Sequence, residues 1–194
     1  MDEAGFWGLI EESRVGAASV RMRSQRLIGL LERLPEQDVV DFQRHKDRLL
    51  RRADTVELLA AHHLLTGGRG GGDAYFYFLH WLIGLGRPTY ERVTDRPDAL
   101  VDVPQLPRPV GDRHGWPDEL WPDWEDLISI AARAHATVAG VEFGGWIDVR
   151  DITGSLSDPD TRGDPWDLDD RRELAQRLPR LYQEALPHLD GWPN

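Results

Sequence analysis

Val56-Glu57-Leu58-Leu59-Ala60-Ala61-His62-His63-Leu64-Leu65 leads through Thr66 into the loop Gly67-Gly68-Arg69-Gly70-Gly71-Gly72. Asp73-Ala74-Tyr75-Phe76-Tyr77-Phe78-Leu79-His80-Trp81-Leu82-Ile83-Gly84-Leu85 follows, and the whole stretch decides the fold. The first segment is apolar nearly all round, the pattern of a central helix. The glycine run breaks it. Asp73 is placed to cap a further helix over Ala74 to Leu85, its carboxylate accepting from the amides of Tyr75 and Phe76. Aromatic and β-branched content would also suit a strand, but strict alternation is absent and the length favours helix. Gly86 reads as a stop, and Pro88 opens a short helix through Arg92.

Helical spacing continues outward from this pair. Phe6, Trp7, Leu9 and Ile10 sit in an opening helix over about residues 3–13. Ser19 caps a second, whose Leu27, Leu30, Leu31 and Leu34 recur at i, i+3, i+4, i+7. Pro35 ends it and opens a third that runs to about Ala53, with Val39, Phe42, Lys46 and Leu49 on one stripe. The Lys46 stem is expected to cover apolar surface. Downstream, Pro104, Pro107, Pro109, Pro117 and Pro122 exclude a long regular element. Trp124 to Val138 reads as a sixth substantial helix, and Leu174 to Leu186 as a seventh that Pro179 kinks or divides. Val141 to Ile152, punctuated by glycine, reads as a small hairpin. The expectation is an all-α, single-domain helical bundle of about six to eight helices. It divides into an N-terminal helical core (1–103), a Pro-rich connector (104–123) and a C-terminal helical segment (124–194) packed on the core.

The 194 residues can bury a core without staples. With no cysteine, disulfides, thiolate zinc sites and cysteine nucleophiles are excluded, and a reducing compartment is the default. The opening residues lack a basic n-region and no apolar run reaches the ~20 residues of a membrane span, so a soluble cytoplasmic protein is expected. The formal net charge is −11, with −1 from residues 1–95 and −10 from the remainder. Such a chain repels phosphate backbones. The basic cluster Arg44, Lys46, Arg48, Arg51 and Arg52 is interrupted by Asp47 and Asp54 and reads as a solvated helix face. Neither nucleic acid nor membrane is an expected partner.

Chemistry-bearing motifs are sparse. The histidines at 45, 62, 63, 80, 114, 135 and 188 include no pair at i, i+3 or i+4, which excludes two histidines on one helix turn. A metal site would have to be assembled across helices from His62, Asp73 and His80; none is assigned, and no cofactor is called for. Asp158 to Asp169 resembles a calcium loop in its carboxylate spacing, but Arg162 stands where a ligand oxygen belongs. The simpler account makes Asp167, Asp169 and Asp170 the cap and first-turn charge of the following helix. The glycine loop before Asp73 meets neither nucleotide-binding fingerprint, and no serine nucleophile motif is present.

The order of motifs between Leu58 and Pro104 resembles domain-of-unknown-function family 4240. It comprises Leu58-Leu59-Ala60-Ala61, the Gly-Gly loop, Asp73-x-Tyr75-x-x-Phe78, Trp81-Leu82-Ile83, Gly86-Arg87, a Tyr-Glu helix and Asp98-Ala99-Leu100. Phe6-Trp7-x-x-Ile10 fits the family's opening helix, and Leu178-Pro179-Arg180-Leu181 is similar to closing segments of some members. The resemblance covers about residues 4–104, more loosely beyond, and implies a helical, bacterial, intracellular domain with no established reaction. Two positions depart from the family pattern. Gly72-Asp73 stands where paired acidic residues precede the aromatic helix, and Leu79 stands where an arginine follows the second aromatic.

Two functions compete. The favoured one is a protein- or small-molecule-binding module without its own catalytic chemistry, consistent with the acidic second half and with tryptophans in Pro-rich contexts (Trp116, Trp121, Trp192). The alternative is an enzyme with a pocket between the fourth, fifth and sixth helices, using carboxylate and histidine acid–base chemistry. Candidate pocket residues are His62, Asp73, Tyr75, His80, Trp81, Arg87 and Glu125. Trp81 is expected to be buried against the fourth helix.

Overall fold

Thr55, extended and with its hydroxyl accepting from the Leu58 amide, opens helix α4 (Val56–Leu65). The remaining helices of the computed structural model are α1 (Glu3–Arg14), α2 (Val20–Leu31), α3 (Glu36–Ala53), α5 (Gly72–Gly84) and α6 (Arg87–Asp95). They continue with α7 (Ile130–Ala139), α8 (Arg171–Arg177) and α9 (Pro179–Ala185). Short 3-10 turns cover Pro97–Asp102, Glu125–Ile128 and Leu186–His188. The structure describes residues 1–68, 72–112, 116–117, 120–144 and 161–189. The fold is all-α: among the described residues the extended pairing is a single parallel bridge, Thr55 with Arg162. The hairpin expected over Val141 to Ile152 lies mostly outside the described residues.

The chain forms two compact units, Met1–Arg51 with Trp124–Pro159, and Arg52–Asp123 with Asp160–Asn194. In the first, α2 packs against α1 and α7. Ser19 caps α2 through the Met22 amide, as its sequence position implies. Phe6, Ile10, Leu27, Leu31, Val39 and Phe42 are buried, with the Phe6 and Phe42 rings 4.7 Å apart. Arg23 joins α1 to α2: its Nε donates to Ser13 Oγ at 2.9 Å, its Nη2 to the Ile10 carbonyl at 3.0 Å, and its guanidinium lies 4.2 Å from the Trp124 ring. Trp124 Nε1 in turn donates to Ser24 Oγ at 2.8 Å.

The helix expected from Trp124 begins instead as the 3-10 turn Glu125–Ile128, and regular α-helix starts only at Ile130. Lys46 explains what holds that turn. Its side chain is 1% exposed, so the stem does more than cover a surface: Nζ donates to the carbonyls of Leu127 and Ile128, both at 2.8 Å. These end-of-turn carbonyls lack regular partners, and a cation there is favoured by the turn's dipole. Burial, partly offset by the neighbouring Asp47 carboxylate, lowers the ammonium to about 8.

In the second unit α4 packs against α5, α9 and the Pro97–Asp102 turn. Gly67, at φ +62°, is needed where the chain leaves α4: a Cβ there would lie 2.3 Å from the Gly111 carbonyl oxygen. Pro179 divides the last helix as its ring requires, with Leu178 non-helical between α8 and α9. Asp98 then serves as the missing cap of α9, its Oδ1 accepting from the amides of Arg180 (3.1 Å) and Leu181 (2.9 Å), while Arg180 clasps Asp102 with both terminal nitrogens. Asp170 caps α8 through the amides of Arg172 and Glu173. Helix α5 starts at Gly72, two residues before the Ala74 start that a cap at Asp73 implies. Asp73 therefore sits inside the first turn, exposed, where its charge still complements the helix dipole but its side chain is not the cap.

Candidate functional site

Two residues before α4, the chain is pinned on its far side. The Val56 amide donates to the Arg162 carbonyl at 2.9 Å and the Arg162 amide to the Asp54 carbonyl at 3.1 Å. This pins Asp54 in the interior, 3% exposed, with Oδ1 lacking a hydrogen-bond partner. Burial lifts its carboxyl above the ordinary range, opposed by hydrogen bonds from Thr161 and Tyr75 and by the charge of Arg162. The Tyr75 hydroxyl also lies 3.3 Å from the Thr55 carbonyl, so its single proton serves two acceptors. Burial, then the Asp54 carboxylate, raises the phenol and keeps it protonated.

Two turns into α4, His62 meets the same tyrosine. Its ring centroid is 5.6 Å from Tyr75 and 5.0 Å from Phe78, and Tyr75 and Phe78 stack at 6.3 Å. His62 is 2% exposed and its Nδ1 has no hydrogen-bond partner. Burial, helped by His63, depresses it to about 3, so the ring is neutral at physiological pH. The second unit thus holds a buried cluster with an unpaired carboxylate oxygen, an unpaired imidazole nitrogen and a phenol that meets both residues.

Of the seven residues singled out from sequence, the structure joins His62 and Tyr75. Trp81 is half-buried rather than buried; it stacks on Phe78 at 5.6 Å and 27°, which leaves part of the indole at the surface. His80 is buried but turned along its own helix, its Nδ1 donating to the Phe76 carbonyl at 2.8 Å and its ring edge-on to Phe76. Arg87 is exposed and pairs with Glu91 one turn on, at 2.7 Å. Asp73 is exposed, and Glu125 is exposed in the first unit. Among the described residues no three histidine or carboxylate side chains are grouped to hold a metal ion; Asp158 and Asp160 of the calcium-like spacing lie outside them.

Sequence reasoning missed Asp54, the residue with the most unusual surroundings. A signal was present: a carboxylate directly before a capping threonine and one of the two most apolar helices among the described residues.

The family model described as a protein of unknown function, DUF4240, matches residues 1–137. The chain belongs to the DUF4240 family. No curated protein and no solved structure gives a significant match. Within this DUF4240 chain, Asp54, His62 and Tyr75 fall inside the matched span, whereas Thr161 and Arg162, which complete the surroundings of Asp54, fall beyond it. Asp98 is likewise inside the span and Arg180 outside it, and the contact between them gives Leu178-Pro179-Arg180-Leu181 a structural role in α9.

Proposed function

We propose that this DUF4240 chain is a binding module for a small polar molecule, with Asp54, His62 and Tyr75 as its recognition groups. One observation carries the reading: two buried polar atoms, Asp54 Oδ1 and His62 Nδ1, are unpaired, on side chains that both meet Tyr75. Leaving a buried polar group unsatisfied costs about 1–3 kcal/mol. A cluster that carries two such costs is poorly suited to stability and well suited to a ligand that supplies the missing partners. A bacterial, cytoplasmic setting is what the family resemblance implies, and the −11 charge disfavours a nucleic-acid partner.

A second reading, proton-transfer catalysis, is favoured by the opposite displacements in the cluster. Asp54 is pushed up and His62 down, which is how acid and base roles are separated in enzymes. A protein partner is the third outcome.

Native mass spectrometry of the full chain purified from cells, beside Asp54→Asn and His62→Leu, tests the proposal. A bound species of small mass on the wild type, lost from both folded variants, is the expected result. Wild-type protein carrying no small molecule, or carrying one that both variants keep, overturns it. Recovery with a second polypeptide points to the protein-partner outcome.

A further inference from the structure

We infer that Thr161-Arg162-Gly163 is a strap that lies closed over Asp54 and opens as a unit, without unfolding α4, to admit a ligand to the Asp54, Tyr75 and His62 cluster. This rests on the binding reading above and adds the means of access.

Asp54 is covered on one side by this short piece of chain. The Thr161 side chain hydrogen-bonds the Asp54 carboxylate, and Arg162 sets its positive charge nearby. The strap itself is fastened by few bonds. The Val56 amide donates to the Arg162 carbonyl at 2.9 Å, and the Arg162 amide to the Asp54 carbonyl at 3.1 Å. The Arg162 guanidinium donates to the Arg52 carbonyl. Among the described residues this pairing is an isolated bridge, Thr55 with Arg162, which no ladder extends.

The strap carries no apolar side chain to anchor it. Arg162, Gly163, Asp164 and Pro165 are all exposed. Gly163, at φ +114°, takes a backbone conformation that L side chains rarely adopt and turns the chain off the bridge. Farther on the chain is held again: Arg177 lies 5.0 Å from the Trp166 ring, and Leu174 and Leu178 are buried. The helices under the strap are fixed by fully buried side chains, Leu58 and Leu64 on α4 and Phe78 and Leu82 on α5. Segments with exposed hydrogen bonds and little apolar burial open before the core does. Asp54 therefore sits behind a fastening weaker than the helices beneath it.

Hydrogen exchange on the full chain, followed residue by residue by NMR, tests the strap. The first amides of a helix have no partner within it, so protection of the Val56 amide reports its bond to Arg162. The Leu59 amide, which donates to the Thr55 carbonyl at 2.9 Å, reports the first turn of α4. Val56 and Arg162 are expected to exchange with one common protection, well before Leu59. Arg162→Ala removes the guanidinium tie and should speed Val56 by about fivefold, the worth of one ordinary hydrogen bond, with Leu59 unchanged. Arg172→Ala, at an exposed arginine of α8, should change neither. Access is read by labelling carboxylates with a water-soluble carbodiimide and glycinamide. Asp54 should be labelled faster in Arg162→Ala than in wild type, and the exposed Asp73 equally in both. Exchange of Val56 only together with Leu59 marks fraying of α4 and overturns the strap. An Arg162→Ala variant without effect on Val56, or an Asp54 that stays unlabelled in both proteins, overturns it too. None of these readouts needs a bound molecule, so they stand apart from the mass spectrometry that tests the binding reading.

Discussion

His62 accepts a proton near 6.5 in an unfolded chain but only near 3 in the fold. Between those values the unfolded state holds the extra proton, so stability falls as pH drops from 6.5 toward 3. Asp54 works in the other direction: its raised carboxyl lets the folded state hold a proton more tightly than the unfolded one, a contribution that fades as pH rises through the raised value. His62→Leu removes the unpaired nitrogen and keeps an apolar side chain beside Tyr75 and Phe78. We expect it to be about 1 kcal/mol more stable at pH 7 and to decline less than wild type across the acid window. Denaturant titrations at several pH values measure both, and a decline parallel to wild type would sink the neutral-histidine assignment. Lys46 gives the alkaline counterpart. Its ammonium is lowered from 10.5 to about 8, so the unfolded chain holds the additional proton between those values and stability rises with pH across them. Lys46→Met should lose that rise. It should also be less stable at neutral pH by about 1–3 kcal/mol, because the Leu127 and Ile128 carbonyls lose their donor.

Helix boundaries show why some elements were legible in the sequence and others were not. Helix α4 begins and ends where its composition says, and Ser19 and Asp170 cap where their positions say, because these signals act within one turn of chain. Pro179 divides the last helix for the same reason. The start at Trp124 was not legible, since what fixes the Glu125–Ile128 turn is Lys46, about eighty residues earlier in the chain. Asp54 was overlooked for a similar cause: its burial depends on the bridge to Arg162, and nothing local announces a partner that distant. The surface edge of Trp81 escaped because α5 carries apolar residues nearly all round, leaving no polar stripe to mark its outer face. Gly67 offers a test at this scale. Gly67→Ala forces a Cβ against the Gly111 oxygen at a left-handed backbone position. Thermal denaturation should show a loss of about 1–3 kcal/mol, and a variant as stable as wild type would mean that α4 does not end in this close approach.

Each compact unit draws on two stretches far apart in the sequence, with consequences for the whole molecule. The first needs Trp124, Leu127 and Ile130, and the second needs Leu174, Leu178 and Leu181, all buried. A fragment of residues 1–123 therefore lacks core side chains of both units. It should retain helical signal in far-ultraviolet circular dichroism but lose the cooperative thermal transition of the full chain. A sharp transition in that fragment would show that the first 123 residues fold without the rest. Lys46 extends this to chemistry in the test tube. It is the chain's one lysine, and its amine is sealed inside the first unit. Acylating reagents, amine cross-linkers and a lysine-specific protease should all leave this side chain untouched until the unit opens. The rate at which the Lys46 peptide becomes labelled is then a clock for that opening, readable by mass spectrometry without any engineered probe.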